Sequence, residues 1–297
     1  MFFSKLTNAF IVSIMVLLFS STVFAAEGFQ AEFSLGYDYS EENDDDFETT
    51  IYSAEGIYYF SPVVTGGHPY NEAVFLERVG GVGLFVMDRD AEENSTKVSD
   101  AKSYALGLNY MKPGLPVSVT VFFSKGEMDF KTPVKAELDL DIYSLSAGYF
   151  VFDNLLLSTG YLHQEIDYDL SWIKTIKVND YFISAKYVKE MEGTAYNLEG
   201  RILISTEDND NTDKNDTNTV VEIEGDYYFN QKISLGGSLE FNNGDDEWQE
   251  GKTISVRNKT YFTHNFAVAV EFEQFYVDDE EKGEDDKTIS ITLSTYL

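Results

Sequence analysis

An all-β chain, a transmembrane antiparallel up-and-down β-barrel of about 14 strands with roughly 12 to 16 allowed, is predicted by three observations. Apolar residues recur at every second position over most of the sequence, short turns alternate with longer connections, and a leader of export type stands at the front.

The leader is Met1 to Ala25. Lys5 supplies a positive start, Phe10 to Phe19 is almost continuously apolar, and Val23-Phe24-Ala25 places short residues at a cleavage site before Ala26. The apolar run falls short of the ~20 residues of a spanning helix, so a signal peptide is expected over 1–25 and one barrel domain over 26–297. Removing the leader takes away one base and no acid, which makes the net charge of −31 slightly more negative. So acidic a surface repels nucleic acid and argues against basic-patch functions. Cysteine is absent, which excludes disulfides and thiolate chemistry.

Strands are expected near 28–40, 49–60, 78–88, 101–112, 117–125, 138–152, 155–167, 178–190, 194–206, 219–229, 232–242, 252–263, 265–277 and 287–297. In 194–206, Tyr196, Leu198, Gly200, Ile202 and Ile204 share one face, while Asn197, Glu199, Arg201 and Ser205 share the other. Val221, Ile223, Gly225, Tyr227 and Phe229 likewise oppose Glu222, Glu224, Asp226 and Tyr228. Strict alternation of this kind fits a strand with lipid on one side and water on the other.

Short turns fall at Pro113 to Pro116, Asp153-Asn154, Glu190 to Gly193, Asn230-Gln231 and His264-Asn265. Longer connections, mostly acidic, fall at Glu41 to Phe47, Asp88 to Asp100, Gly126 to Glu137, Tyr168 to Lys177, Glu207 to Asn218, Asn243 to Gly251 and Asp278 to Asp286. Short periplasmic turns and long outer loops are the layout of an outer-membrane barrel. Tyr58, Tyr59 and Phe60, Tyr149, Phe150 and Phe152, Tyr227, Tyr228 and Phe229, and Tyr261 and Phe262 gather beside the short turns, where an aromatic girdle is expected. The last strand alternates Ile289, Ile291 and Leu293 with Ser290, Thr292 and Ser294, and resembles the terminal signal read by barrel-assembly machinery. Its aromatic residue, Tyr296, stands one place early and on the opposite face.

One connection on the short-turn side, Ser61 to Glu77, is long. Pro62, Gly66, Gly67 and Pro69 break a strand there, and Asn71 is expected to cap a helical turn through Val74, Phe75 and Leu76. Its stretch from His68 to Arg78 resembles the Pro-x-x-Glu-Ala-x-Phe-Leu segment of a porin family of Gram-negative outer-membrane β-barrels. The hairpin from Gly148-Tyr149-Phe150 through Asp153-Asn154-Leu155 to Gly160-Tyr161 is similar to those of many bacterial barrels. The resemblance implies passive diffusion of small hydrophilic solutes and carries over no catalytic residue. Phe75 and Leu76 are expected to narrow the periplasmic mouth.

With the apolar face against lipid, the opposite face offers Glu32, Glu55, Asp180 and Lys186, and as the expected pore lining Glu199, Arg201, Glu222, Glu224, Asp226, Glu240, Arg257, Lys259, Glu271 and Glu273. So many charges require water inside, since an unpaired buried charge costs several kcal/mol. Acids outnumber bases. The strip Glu222, Glu224, Asp226 and Glu240, with Arg201, Arg257 and Lys259 elsewhere on the wall, predicts a transverse field and a cation preference.

No cofactor or metal site is expected. Asp208 to Asp213 lacks the glycine and closing glutamate of a calcium loop. A barrel hydrolase remains an alternative, although His68 and His264 fall at periplasmic connections and His163, near Glu165 and Asp167, has no serine at a recognisable spacing. A non-conducting adhesin or structural barrel is the other. Expected partners are outer-membrane lipid and lipopolysaccharide, the barrel-assembly machinery and small hydrophilic solutes. Oligomeric state is left open.

Overall fold

Fourteen strands close into one barrel in the computed structural model, which describes residues 28–42, 47–131, 135–170, 175–209, 214–244, 251–277 and 286–297. The leader 1–25 and positions 210–213 of the acidic run lie outside the described residues. In chain order the elements are β1 (Gly28–Glu42), β2 (Phe47–Val64), α1 (Ala73–Leu76), β3 (Gly81–Glu93), β4 (Thr96–Met111), β5 (Val117–Phe130), β6 (Ala136–Phe152), β7 (Leu155–Tyr168), β8 (Ile176–Met191), β9 (Thr194–Asn209), β10 (Lys214–Asn230), β11 (Ile233–Gly244), β12 (Gly251–Thr263), β13 (Phe266–Val277) and β14 (Asp286–Tyr296).

Every strand pairs antiparallel with its sequence neighbour, and β14 pairs with β1, with Tyr37 opposite Ile291 and Leu35 opposite Leu293. No edge is left to template aggregation. The seam is completed by the Leu297 carbonyl, which accepts the Gln30 and Ala31 amides at 2.6 and 2.9 Å.

The period-two pattern sorts the side chains as the sequence predicts. Leu198, Ile202, Ile204, Ile223, Leu235, Leu239 and Phe241 are exposed on the outside, where lipid covers them. Asn197, Asp226, Ser255 and Ser294 are buried on the inside.

The strands outrun their predicted limits toward the long-loop end. Asp88 to Asp100 is not a loop: β3 and β4 continue to a two-residue hairpin at Asn94-Ser95, both at positive φ (49° and 62°), the left-handed pair that matches strand twist. The Lys97 ammonium bridges Asp90 and Asp100, and Lys131 also binds Asp100, which offsets the repulsion among the acidic residues of this hairpin. At the other end β2 extends to Val64, with Val63 opposite Phe29. The helical turn also starts one residue later than expected. Glu72, not Asn71, is its N-cap, and the cap makes no side-chain bond there because the Glu72 carboxylate is engaged elsewhere.

The aromatic clusters divide by the same alternation. Tyr58, Phe60, Tyr149, Phe152, Tyr227, Phe229 and Phe262 point outward as the girdle, while Tyr59, Phe150, Tyr228, Tyr261 and Tyr296 are buried inside. Of the eleven expected girdle residues, seven therefore face outward. The other four, with Tyr296, form a ring of seats within the short-turn end.

Candidate functional site

Those seats hold the segment between β2 and β3, which folds into the barrel as a floor at its short-turn end. Its α1 turn closes with the Leu76 and Glu77 amides donating to the Glu72 and Ala73 carbonyls. Too short to persist alone, it is held by what surrounds it.

Glu72 is the deepest anchor, with its side chain 1% exposed. Its Oε1 accepts from Asn197 Nδ2 of β9 and from the Tyr228 hydroxyl of β10, both at 2.6 Å, while Lys186 Nζ of β8 lies 3.2 Å from Oε2. Asn197 is in turn fixed by the Asp226 amide, which donates to its Oδ1 at 2.6 Å. A carboxylate this buried requires such partners.

Around this anchor the floor reaches most of the wall. The Tyr70 ring packs edge-on against Tyr261 of β12, with centroids 5.0 Å apart, and its hydroxyl bonds His264 Nδ1 in the β12–β13 turn. Lys259 Nζ of β12 donates to Asn71 Oδ1 at 2.8 Å. Phe75 packs against Phe150 of β6 (5.4 Å) and Val188 of β8, with Leu76, Met111 and Leu156 beside it, and Lys186 Nζ sits 5.3 Å from its ring. Phe75 and Leu76 are thus seated on the wall of β4, β6, β7 and β8. Arg78, at a positive φ of 51°, lies over the Phe150 ring at 4.2 Å and donates to Asp153 Oδ1 at 2.8 Å.

A bridge at the rim completes the attachment. His68 Nδ1 lies 2.7 Å from Glu190 Oε1 at the end of β8, and Nε2 lies 2.9 Å from Glu77 Oε1 of the floor itself. Two carboxylates can both be satisfied only when both ring nitrogens carry protons, so the geometry selects imidazolium. Partial burial opposes that charge, but the Glu190 and Glu77 carboxylates outweigh it and raise the His68 pKa above its ordinary value. With a folded pKa above the unfolded one, the stabilisation is complete below the unfolded value near 6.5 and is lost as pH rises through the raised value. Thermal unfolding of the His68→Gln variant in micelles is therefore expected to lose a pH-dependent increment that the parent shows on the acidic side. Equal differences between the two proteins at every pH would contradict the bridge.

Above the floor, the expected lining residues occupy the inner face. Arg257 Nη1 binds Glu224 Oε2 at 2.8 Å, Nη2 binds Asp226 Oδ2 at 2.7 Å and Nε binds Asp226 Oδ1 at 3.0 Å. Arg257 therefore touches the acidic strip instead of standing elsewhere on the wall. Gly236 makes this possible: it lies between Asp226 and Arg257 in the register, and a Cβ there would collide with Asp226 Oδ1. Lys186 also lies 3.9 Å from Glu199 Oε2. Arg201 stands over the Phe182 ring at 4.6 Å and is the register partner of Glu222, which is opposite Glu240 on its other side. Arg257 is likewise opposite Glu271, and Lys259 opposite Ala269. Glu273 follows Glu271 on the same face of β13.

Sequence reasoning missed Glu72, Asn197, Tyr228 and the His68 bridge as site residues. Glu72 is the glutamate of the Pro-x-x-Glu-Ala-x-Phe-Leu resemblance, and the paired aromatics Tyr58-Tyr59 and Tyr227-Tyr228 could not all face lipid. Of the other histidines, His264 is taken up by Tyr70, while His163 bonds Asn179 Oδ1 at 2.9 Å and stacks on Tyr161.

A closed fourteen-stranded barrel with an apolar belt, an aromatic girdle and a charged interior is an outer-membrane channel barrel. The chain belongs to the family described as "Putative general bacterial porin", which matches residues 4–291, and it resides in the bacterial outer membrane with lipid around the belt. No protein of curated function matches it. Among solved structures it is similar to the outer membrane protein Omp33 of Acinetobacter baumannii, with TM-score 0.59 and 17% identity over 92% of this chain and 100% of that one. A mutant of the monoaromatic hydrocarbon channel TodX gives TM-score 0.54 and 11% identity over 92% and 91%. The toluene transporter TodX of Pseudomonas putida gives 0.50 and 10% over 93% and 91%. At these identities the likeness is one of fold.

Proposed function

We propose that this porin passes small hydrophilic solutes by passive diffusion, prefers cations, and is narrowed at its periplasmic mouth by the folded-in segment between β2 and β3. The observation that carries the reading is the charged inner face standing above a floor that is bonded to the wall on many sides. Glu199, Arg201, Glu222, Glu224, Asp226, Glu240, Arg257, Lys259, Glu271 and Glu273 line the path, with carboxylates in excess, and Phe75 and Leu76 hold the floor against one side of the wall. Excess carboxylates concentrate cations at the wall and repel anions.

Around this path the remaining assignments are that residues 1–25 direct export, that the last strand engages the barrel-assembly machinery, and that the acidic outer loops meet lipopolysaccharide through divalent ions. Planar-bilayer recording tests the central reading, with stepwise conductance and a reversal potential on the cation side expected. Glu222→Gln together with Glu224→Gln is expected to move that reversal potential toward zero. An unchanged value removes the cation preference from these residues, and silence at every voltage removes the diffusion reading.

A further inference from the structure

A polar, partly open cavity of about 330 Å³ lies between Asn71 and Glu72 of the folded-in segment and the walls of β8 to β14. Three cations reach it, and two are matched: Lys186 by Glu72, and Arg257 by Glu224 and Asp226. The third, Lys259, has only the neutral Asn71 Oδ1 at hydrogen-bond distance, and among the described residues no carboxylate lies within 4.0 Å of its ammonium. Glu271 also lines the cavity without an ion pair among the described residues.

These two charges are neighbours. Arg257 is opposite Glu271 and Lys259 is opposite Ala269, so Lys259 and Glu271 are diagonal on one face, a separation of roughly 7–8 Å between backbones. The wall beside them is recessed, because the row through Lys259 continues as Ala269, Thr292 and Gly36. Small side chains in that row leave room beside Lys259, and Thr292 and Ser290 line the cavity.

From this juxtaposition we infer that the cavity is a binding site for a small zwitterion of the α-amino acid class, its carboxylate on Lys259 and its ammonium on Glu271. The inference rests on the diffusion reading above and names the solute that lingers on the path. A bare anion is disfavoured because Glu72, Glu224, Asp226 and Glu271 line the same cavity as Lys259. A solute that brings its own positive charge relieves that repulsion and satisfies Glu271 at once.

Isothermal titration of the full chain in micelles, with L-alanine, propionate and ethylammonium as probes, tests the site without requiring conduction. Saturable millimolar binding of alanine is expected, weakened about tenfold or more by Lys259→Met and by Glu271→Gln, with propionate and ethylammonium binding at least about tenfold less tightly than alanine. Ala269→Leu fills the recess while keeping both charges, so it decides the matter even if a charge variant does not fold, and it is expected to weaken alanine equally. Absence of saturable alanine binding overturns the proposal. So does propionate or ethylammonium binding as tightly as alanine, which makes this an anion or cation site only, or unchanged binding in Ala269→Leu. A protein that conducts but does not bind alanine loses this site alone, whereas one that binds without conducting keeps the site and loses the diffusion reading.

Discussion

Replacing Glu72 with alanine is expected to unseat the floor and raise single-channel conductance. The substitution takes the Oε1 acceptor from the Tyr228 hydroxyl and from the Asn197 amide, both at 2.6 Å, leaves that amide only its longer 3.2 Å bonds to Asp226 and Tyr228, and removes the Glu72 partner of Lys186. A buried donor left without its acceptor costs about 1–3 kcal/mol. Lys186 is partly open to the lumen, so its share is smaller. A loss of about 3 kcal/mol on seating raises the unseated fraction about a hundredfold. The conservative Glu72→Gln keeps Oε1 as an acceptor for both donors but sets an amide NH2 against Lys186 in place of Oε2, so it is expected to fall between the parent and Glu72→Ala. Because the chain has no cysteine, Val74→Cys reports seating directly through its rate of reaction with a thiol reagent, which should rise with the conductance. Parent-like conductance and labelling in Glu72→Ala would show that the floor is held by its aromatic seats instead.

Arg257→Ala is expected to act in the opposite domain of properties, on stability and selectivity more than on the floor. Asp226 has a side chain only 4% exposed and receives two bonds from the guanidinium, so removing Arg257 leaves a buried charge that keeps the Asn197 amide at 3.2 Å but loses its ion pair. Breaking a fully buried pair costs about 3–5 kcal/mol. Arg257 is a quarter exposed, which reduces the expected loss toward about 2 kcal/mol. Two carboxylates, Asp226 and Glu224, are also unmasked, so the reversal potential should move further to the cation side. Adding Asp226→Asn to Arg257→Ala removes the stranded charge and is expected to recover most of the stability but only part of the selectivity change. Failure of that double variant to recover would place the cost in lost packing of the arginine stem.

Strand number, pairing order and inward and outward faces were legible because lipid on one side and water on the other enforce a period of two. The signal fades where both faces are wet. There the alternation of β3 and β4 gives way to polar residues on both sides, and 88–100 read as a loop although Asn94 and Ser95 make a tight hairpin. The floor was legible as an interruption and not as a site. Its partners lie as many as 194 positions away, as for His68 with Glu190 at 122 and Tyr70 with His264 at 194, and no local pattern marks such pairs. Arg257 was expected elsewhere on the wall from the acidic strip for a related reason: its reach to Asp226 depends on Gly236 of the intervening strand, which looks from the sequence like any strand glycine.

Those same separations set an order of assembly. The floor follows β2 in the chain, yet its seats are on β6, β8, β9, β10 and β12, so its bonds form only once those strands are side by side. Docking the segment is therefore a late event, after most of the cylinder exists. Interactions made after the rate-limiting step slow the return journey without speeding the outward one. Weakening the seats should accordingly leave the rate of refolding into micelles nearly as it was and shorten the lifetime of the folded state, which makes the floor a source of kinetic persistence as well as a barrier to solutes.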